Sequence, residues 1–194
     1  MESIFRIFLL RRIIKEIYAL ESTVQPVIIA IDGRSASGKT TLAARIQKEI
    51  KCGVIHMDDF FLRPEQRTEK RYEEAGGNVD YERFLDEVMI PLRGNKKFAY
   101  RPFDCSTMTF SPPVEVTPGT VTIIEGAYSC HPVLWNYYDL RVFMSVNPDT
   151  QKRLIRQRNG DGGYIAFEEK WIPMEERYFA AYHLPERCDL AFHD

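Results

Sequence analysis

The sequence predicts an α/β fold: a parallel sheet of about five strands, helices on both faces, and a small β-arm and lid. Three observations carry that expectation. Short apolar, β-branched runs alternate with helix-like runs, a glycine-rich turn sits between the first strand and the next helix, and acidic residues close two further strand runs.

The chain has 194 residues, 44% of them apolar and 28% charged, enough for one domain with a real core. Its formal net charge of −2 offers no global attraction to nucleic acid or an anionic membrane, so neither is expected as a partner. A homo-oligomer is compatible with this composition. Cys52, Cys105, Cys130 and Cys188 are scattered without a C-x-x-C pair, as in a reduced cytoplasmic protein.

Residues 1–24 read as an N-terminal amphipathic helix and 25–194 as a single domain. Ile7, Leu10, Ile14 and Ile17 recur at helical spacing among Arg11, Arg12 and Lys15. The longest uncharged run there is too short for a bilayer span or a signal core.

"VIIAI" (Val27 to Ile31) is the first strand, apolar throughout as a strand covered on both faces must be. A helix is expected from Lys39 to about Ile50, then a strand around Val54 to Met57. "RPEQRTEKRYEEAGGN" reads as an exposed, movable loop, and "VDYERFLDEVMIPL" as a helix ending near Pro91. "FAYRPFDCSTMTFSPPVEVTPG", aromatic and proline-rich without helical period, reads as a β-arm. "TVTIIEG", "LRVFMSV" and "CDLAF" complete the strands, and "DTQKRLIRQR" is a basic helix.

The turn "IDGRSASGKTTLA" satisfies G-x-x-x-x-G-K-[ST] through Gly33, Gly38, Lys39 and Thr40. Its small residues let successive backbone N–H groups face a bound polyphosphate, with a helix N-terminus behind them. Ser35, Ala36, Ser37 and Thr41 complete that cradle. Lys39 would meet the outer phosphates of ATP, and Thr40 would ligate Mg²⁺.

Downstream, "HMDDFF" places Asp58 and Asp59 at a strand end, where a carboxylate can accept a hydroxyl proton or merely cap a turn. Glu125 of "TIIEG" can orient Mg²⁺ or be a buried, paired acid. Asp80 is either a helix cap or a ligand for sugar hydroxyls. Arg153, Arg156 and Arg158 form either a solvated face or a lid closing over ATP.

Together "IDGRSASGKTTLA", "HMDDFF", "GNVDYERF", "TIIEG" and "IPMEERYF" resemble uridine kinase and its P-loop relatives, nicotinamide riboside kinase, pantothenate kinase and phosphoribulokinase. The likeness runs from Val27 to Phe192. It implies the three-layer P-loop NTPase fold, ATP and Mg²⁺, and a small hydroxylated acceptor. It casts Asp58 as the catalytic acid, Asp80 as the ribose ligand and Glu125 as the metal-orienting acid. Arg158 is the best-placed lid arginine, with Arg156 on the substrate side. The family's base-contacting Tyr and His are replaced by Phe103 and Met108; Phe can stack on a ring, but Met offers no strong hydrogen bond.

The expected activity is ATP-dependent phosphorylation of an alcohol, on a nucleoside such as uridine or cytidine or on another small hydroxylated metabolite. A regulatory NTPase acting on a macromolecule is the alternative from another class. Against it, "NKKF" at Asn95 does not complete an N-K-x-D guanine element.

Overall fold

A computed structural model describes residues 4–193. The chain begins with α1 (Ile4–Glu21), then β1 (Val27–Gly33), α2 (Lys39–Glu49) and β2 (Gly53–His56). Single 3-10 turns at Met57–Phe60 and Pro64–Gln66 lead to α3 (Glu69–Glu73), α4 (Tyr81–Phe84), a π turn (Leu85–Met89) and α5 (Ile90–Arg93). Next come β3 (Phe98–Tyr100), β4 (Phe103–Asp104), β5 (Thr109–Phe110), β6 (Val114–Val116), β7 (Val121–Glu125) and β8 (Leu140–Ser145). The chain closes with α6 (Pro148–Ala166), a second π turn (Phe167–Trp171), α7 (Ile172–Tyr182), α8 (Leu184–Arg187) and β9 (Leu190–His193).

The main sheet has five strands in the order β2-β7-β1-β8-β9, every neighbouring pair parallel. Central β1 is buried at all seven positions, which explains its unbroken apolar run. Ile28 and Ala30 face a core shared with Phe84, Val88 and Tyr178. Val27, Ile29 and Ile31 face the opposite core, with Leu42 and Ile46 of α2. The β-arm is present as two small antiparallel pairs, β3 with β6 and β4 with β5.

Two local expectations need correction. The N-terminal helix packs on the second core through Leu9, Ile13 and Ile17, whereas Ile7 lies exposed. Of the expected stripe, Ile17 is buried and Leu10 packs against the same core, while Leu9 and Ile13 rather than Ile7 and Ile14 complete the buried row at i, i+4, i+8. The first three residues of that expected segment lie outside the described ones.

The segment read as a movable loop is instead folded around Arg71. That guanidinium donates to the carbonyls of Gly77 (3.1 Å) and Val79 (2.9 Å) and to both Glu82 oxygens (2.6 Å each). One side chain thus satisfies backbone that would otherwise need water.

The helix after Asp80 ends near Pro91, as expected, and runs through the proline to Arg93. Proline lacks an N–H and its ring crowds the carbonyl four residues back. The π turn at Leu85–Met89 widens the ladder just before it, with the Ile90 amide donating to the Leu85 carbonyl. The basic stretch forms the expected helix, which continues through the glycines to Ala166 with a bend at Gly160, where φ is +72° and ψ is 171°.

Candidate active site

The phosphate turn follows directly from β1. A Cβ on Gly33, at φ +131°, would lie 1.9 Å from the Met144 carbonyl oxygen of β8, so only glycine lets the strand turn there. Gly38, at φ +94°, starts α2. Lys39 lies along the inside of the loop, its Nζ donating to the carbonyls of Gly33 (2.8 Å) and Arg34 (2.9 Å). The Ser37 hydroxyl is buried without a hydrogen-bond partner among the described residues. A loop holding an orphan hydroxyl and a buried cation against its own carbonyls suits an anion it does not supply itself.

The loop opens into a cavity of about 750 Å³, lined on this side by Ser35, Ala36, Gly38, Lys39, Thr40 and Thr41. Asp58 and Glu125 line the same cavity. Both come from strand ends beside β1, as β7 pairs with β1 on one side and β2 on the other.

The Asp58 carboxylate is open to the cavity but enclosed by protein elsewhere. Loss of water around it pushes its pKa up; Lys39 opposes this, while nearby Glu125 adds to it. The Gly126 backbone, at φ +141°, crowds Asp58: a Cβ there would lie 3.2 Å from Asp58 Oδ1 and 2.9 Å from the Met57 Cβ.

Glu125 is buried and its two oxygens lie 3.1 Å each from the Thr40 hydroxyl, which donates to them. His56 Nδ1 is 2.5 Å from Glu125 Oε1. That hydrogen bond, the largest cause, raises the His56 pKa; partial burial opposes it. Among the described residues no cluster of three or more His, Cys, Asp or Glu is arranged to hold a metal alone. A threonine hydroxyl beside a carboxylate, next to a polyphosphate cradle, nevertheless matches the sparse hard-oxygen donor set of Mg²⁺, which keeps waters and shares phosphate oxygens.

The comparisons agree with this geometry. A uridine kinase of Ureaplasma parvum is 27% identical over 150 residues, covering 71% of this chain and 72% of the relative. One of Geobacillus kaustophilus is 27% identical over 142 residues, with 68% and 67% covered. A structure described as a possible uridine kinase from Bacillus stearothermophilus superposes with a TM-score of 0.68 at 21% identity, covering 93% of this chain and 99% of that one.

The chain resembles the uridine kinases in sequence and in fold.

No family model matches it. A Saccharomyces cerevisiae protein described as a P-loop containing kinase with a circular permutation shares the fold, at a TM-score of 0.70 and 9% identity over 95% of this chain and 99% of that one. These similarities support a small-molecule kinase.

Three residues expected at the kinase's acceptor side are not among those lining the cavity. Asp80 is buried and caps α4, accepting from the Arg83 amide at 3.2 Å and from Gln66 Nε2 at 2.9 Å. Arg83 and Arg63 flank it at 3.6 and 3.8 Å. The capping role, the alternative weighed for it, is what the structure shows. Phe103 is buried edge-on against Phe110, with ring centroids 5.5 Å apart. Arg156 pairs with Asp161 at 3.2 Å and covers the Tyr164 ring, because the turn of α6 on which it stands faces away. Arg158 does line the cavity, as does Met108. Gly33 and Ser37 shape the loop from behind rather than lining it.

Several participants carried no motif. Glu175 of α7, buried, accepts from the Ser35 amide at 3.0 Å and from the Ser35 hydroxyl. Arg67, Tyr72 and Trp171 line the cavity from segments distant in sequence from the turn. Asp32, fully buried at the end of β1, accepts from the amides of Gly33, Tyr128 and Cys130 and from the Tyr178 hydroxyl at 2.6–3.1 Å. Burial raises its pKa and these donors oppose the rise. An acid closing an apolar strand in "IDG" was the available signal for Asp32. Arg67 and Glu175 had none.

Proposed function

We propose that this kinase transfers the γ-phosphoryl group of ATP to a hydroxyl of a small acceptor, with Asp58 as the general base. The observation that carries the reading is that the Asp58 carboxylate and the phosphate turn line one cavity, with Lys39 close enough to moderate the acid's pKa.

In this reading the amides of Ser35 to Thr41 hold the triphosphate, and Lys39 leaves its two carbonyl partners for the outer phosphates. Asp58 takes the proton of the acceptor hydroxyl on a carboxylate oxygen as that oxygen attacks. Thr40 and Glu125 would hold Mg²⁺, which when bound neutralises phosphate charge. Arg158, free of any carboxylate partner among the described residues, covers the charge that develops on the transferred group.

Uridine and cytidine are the first acceptors to offer, since the relatives are named uridine kinases. A second reading, another small hydroxylated metabolite such as nicotinamide riboside, pantothenate or a sugar phosphate, is favoured by a specific observation. The acid expected to grip a ribose diol, Asp80, is engaged as a helix cap. ADP release from Mg-ATP across these acceptors tests both. Turnover with one of them supports transfer; acceptor-independent ATP hydrolysis overturns it.

A further inference from the structure

We infer that the acceptor carries an anionic group, a carboxylate or a phosphate, and that Arg67 is the residue that reads it. The inference rests on the kinase reading above for the word acceptor, but the anion site itself stands on separate observations.

Beyond the phosphate turn the cavity lining includes the largely apolar side chains of Phe61, Leu62, Tyr72, Met108 and Trp171. The lining cations are Lys39 of the phosphate turn, Arg158 of α6, assigned above to the transferred phosphoryl group, and Arg67. The described partners of Arg67 are both neutral, since Nε donates to the Leu62 carbonyl at 2.9 Å and Nη2 reaches the Cys105 sulfur at 3.4 Å. The bond to Leu62 fixes the base of the fork, and Nη1 has no partner among the described residues. Other arginines of this region are matched: Arg63 with Glu65 and Asp80, Arg71 with Glu82, and Arg83 with Glu87.

The acids of the cavity do not serve Arg67. Glu175 is held by Ser35, and Glu125 by Thr40 and His56. Asp58 is influenced chiefly by Lys39 among the cations. A half-buried guanidinium held at its base by Leu62 and lacking a counter-charge in the cavity is well matched to a ligand anion, to which it can present two donors.

The neutral alternative is poorly served. Met108 offers a base no strong hydrogen bond, Asp80 is turned to its helix, and Asn78 is the amide left on the lining. A neutral nucleoside would leave the Arg67 charge uncompensated, and sites that leave a polar group unpaired discriminate against such ligands.

The test offers acceptors in pairs differing in the anion: pantothenate with pantothenol, glycerate with glycerol, and ribose 5-phosphate with ribose, alongside uridine. Binding is measured by calorimetry in the presence of ADP, and turnover by ADP release. We expect at least one anionic member to bind, its neutral partner to bind roughly 10- to 100-fold more weakly, and Arg67→Gln to cause a similar loss. The KM for ATP should move less than about twofold. Arg67→Lys, keeping charge without the fork, should recover part of the affinity.

Anion binding that depends on Arg67 without any transfer would uphold this site and overturn the kinase reading. Turnover of uridine unaffected by Arg67→Gln would uphold the kinase and overturn this inference. Failure of every anionic probe to bind would overturn it too.

Discussion

Glu175 accepts the Ser35 amide at 3.0 Å, so a buried acid from α7 sits on the loop expected to take phosphate. Burial raises its pKa, and Lys39 is the main influence against that rise. Gln151 holds the other side of the same residue, donating to the Ser35 carbonyl at 3.1 Å. The loop is thus fixed from α6 and α7 at once.

A carboxylate in that position should compete with nucleotide. Glu175→Gln keeps the acceptor for Ser35 and removes the charge, so the Kd for ADP should fall about fivefold, a Coulomb effect near 1 kcal/mol. Titration calorimetry reads it; unchanged or weaker binding removes the competition argument.

Asp58→Asn should fold normally and bind ADP with unchanged affinity, while kcat falls about 10³-fold. The amide cannot take the hydroxyl proton. A coupled ADP assay with whichever acceptor turns over decides this, and near-normal turnover rejects Asp58 as the base.

Thr40→Ala removes the hydroxyl 3.1 Å from both Glu125 oxygens. The Mg²⁺ concentration for half-maximal activity should rise roughly tenfold, with Thr40→Ser close to wild type. If alanine leaves the Mg²⁺ titration unmoved, Thr40 is not a metal ligand.

His131 links the fold to pH. It is buried, stacked on Tyr81 with centroids 3.9 Å apart, and its Nε2 lacks a described partner. Burial, then the Arg71 charge, pushes its pKa down from 6.5 to about 4. Between those values the unfolded chain binds a proton that the folded chain does not, so stability declines as pH falls from about 6.5. The loss approaches about 3 kcal/mol near pH 4. His131→Phe should flatten this slope in urea unfolding at pH 7, 6, 5 and 4.5; parallel slopes for both proteins would discount His131.

The apolar run of β1, the glycine pattern and the acids at strand ends determined, from sequence alone, the five-stranded sheet and the meeting of Lys39, Thr40, Asp58 and Glu125. These are consequences of local rules: a strand buried on both faces must be apolar, a φ of +131° against a carbonyl demands glycine, and parallel strands bring their carboxyl ends together. Only the tertiary structure decided that Asp80 caps α4, that Phe103 is buried, that Arg156 turns outward, and that Glu175 and Arg67 enter the cavity. Those outcomes depend on which groups meet once the chain has folded: Glu175 reaches Ser35 across 140 positions, and even for Asp80, capped to nearby Arg83, the spacing alone allowed both a cap and a ligand.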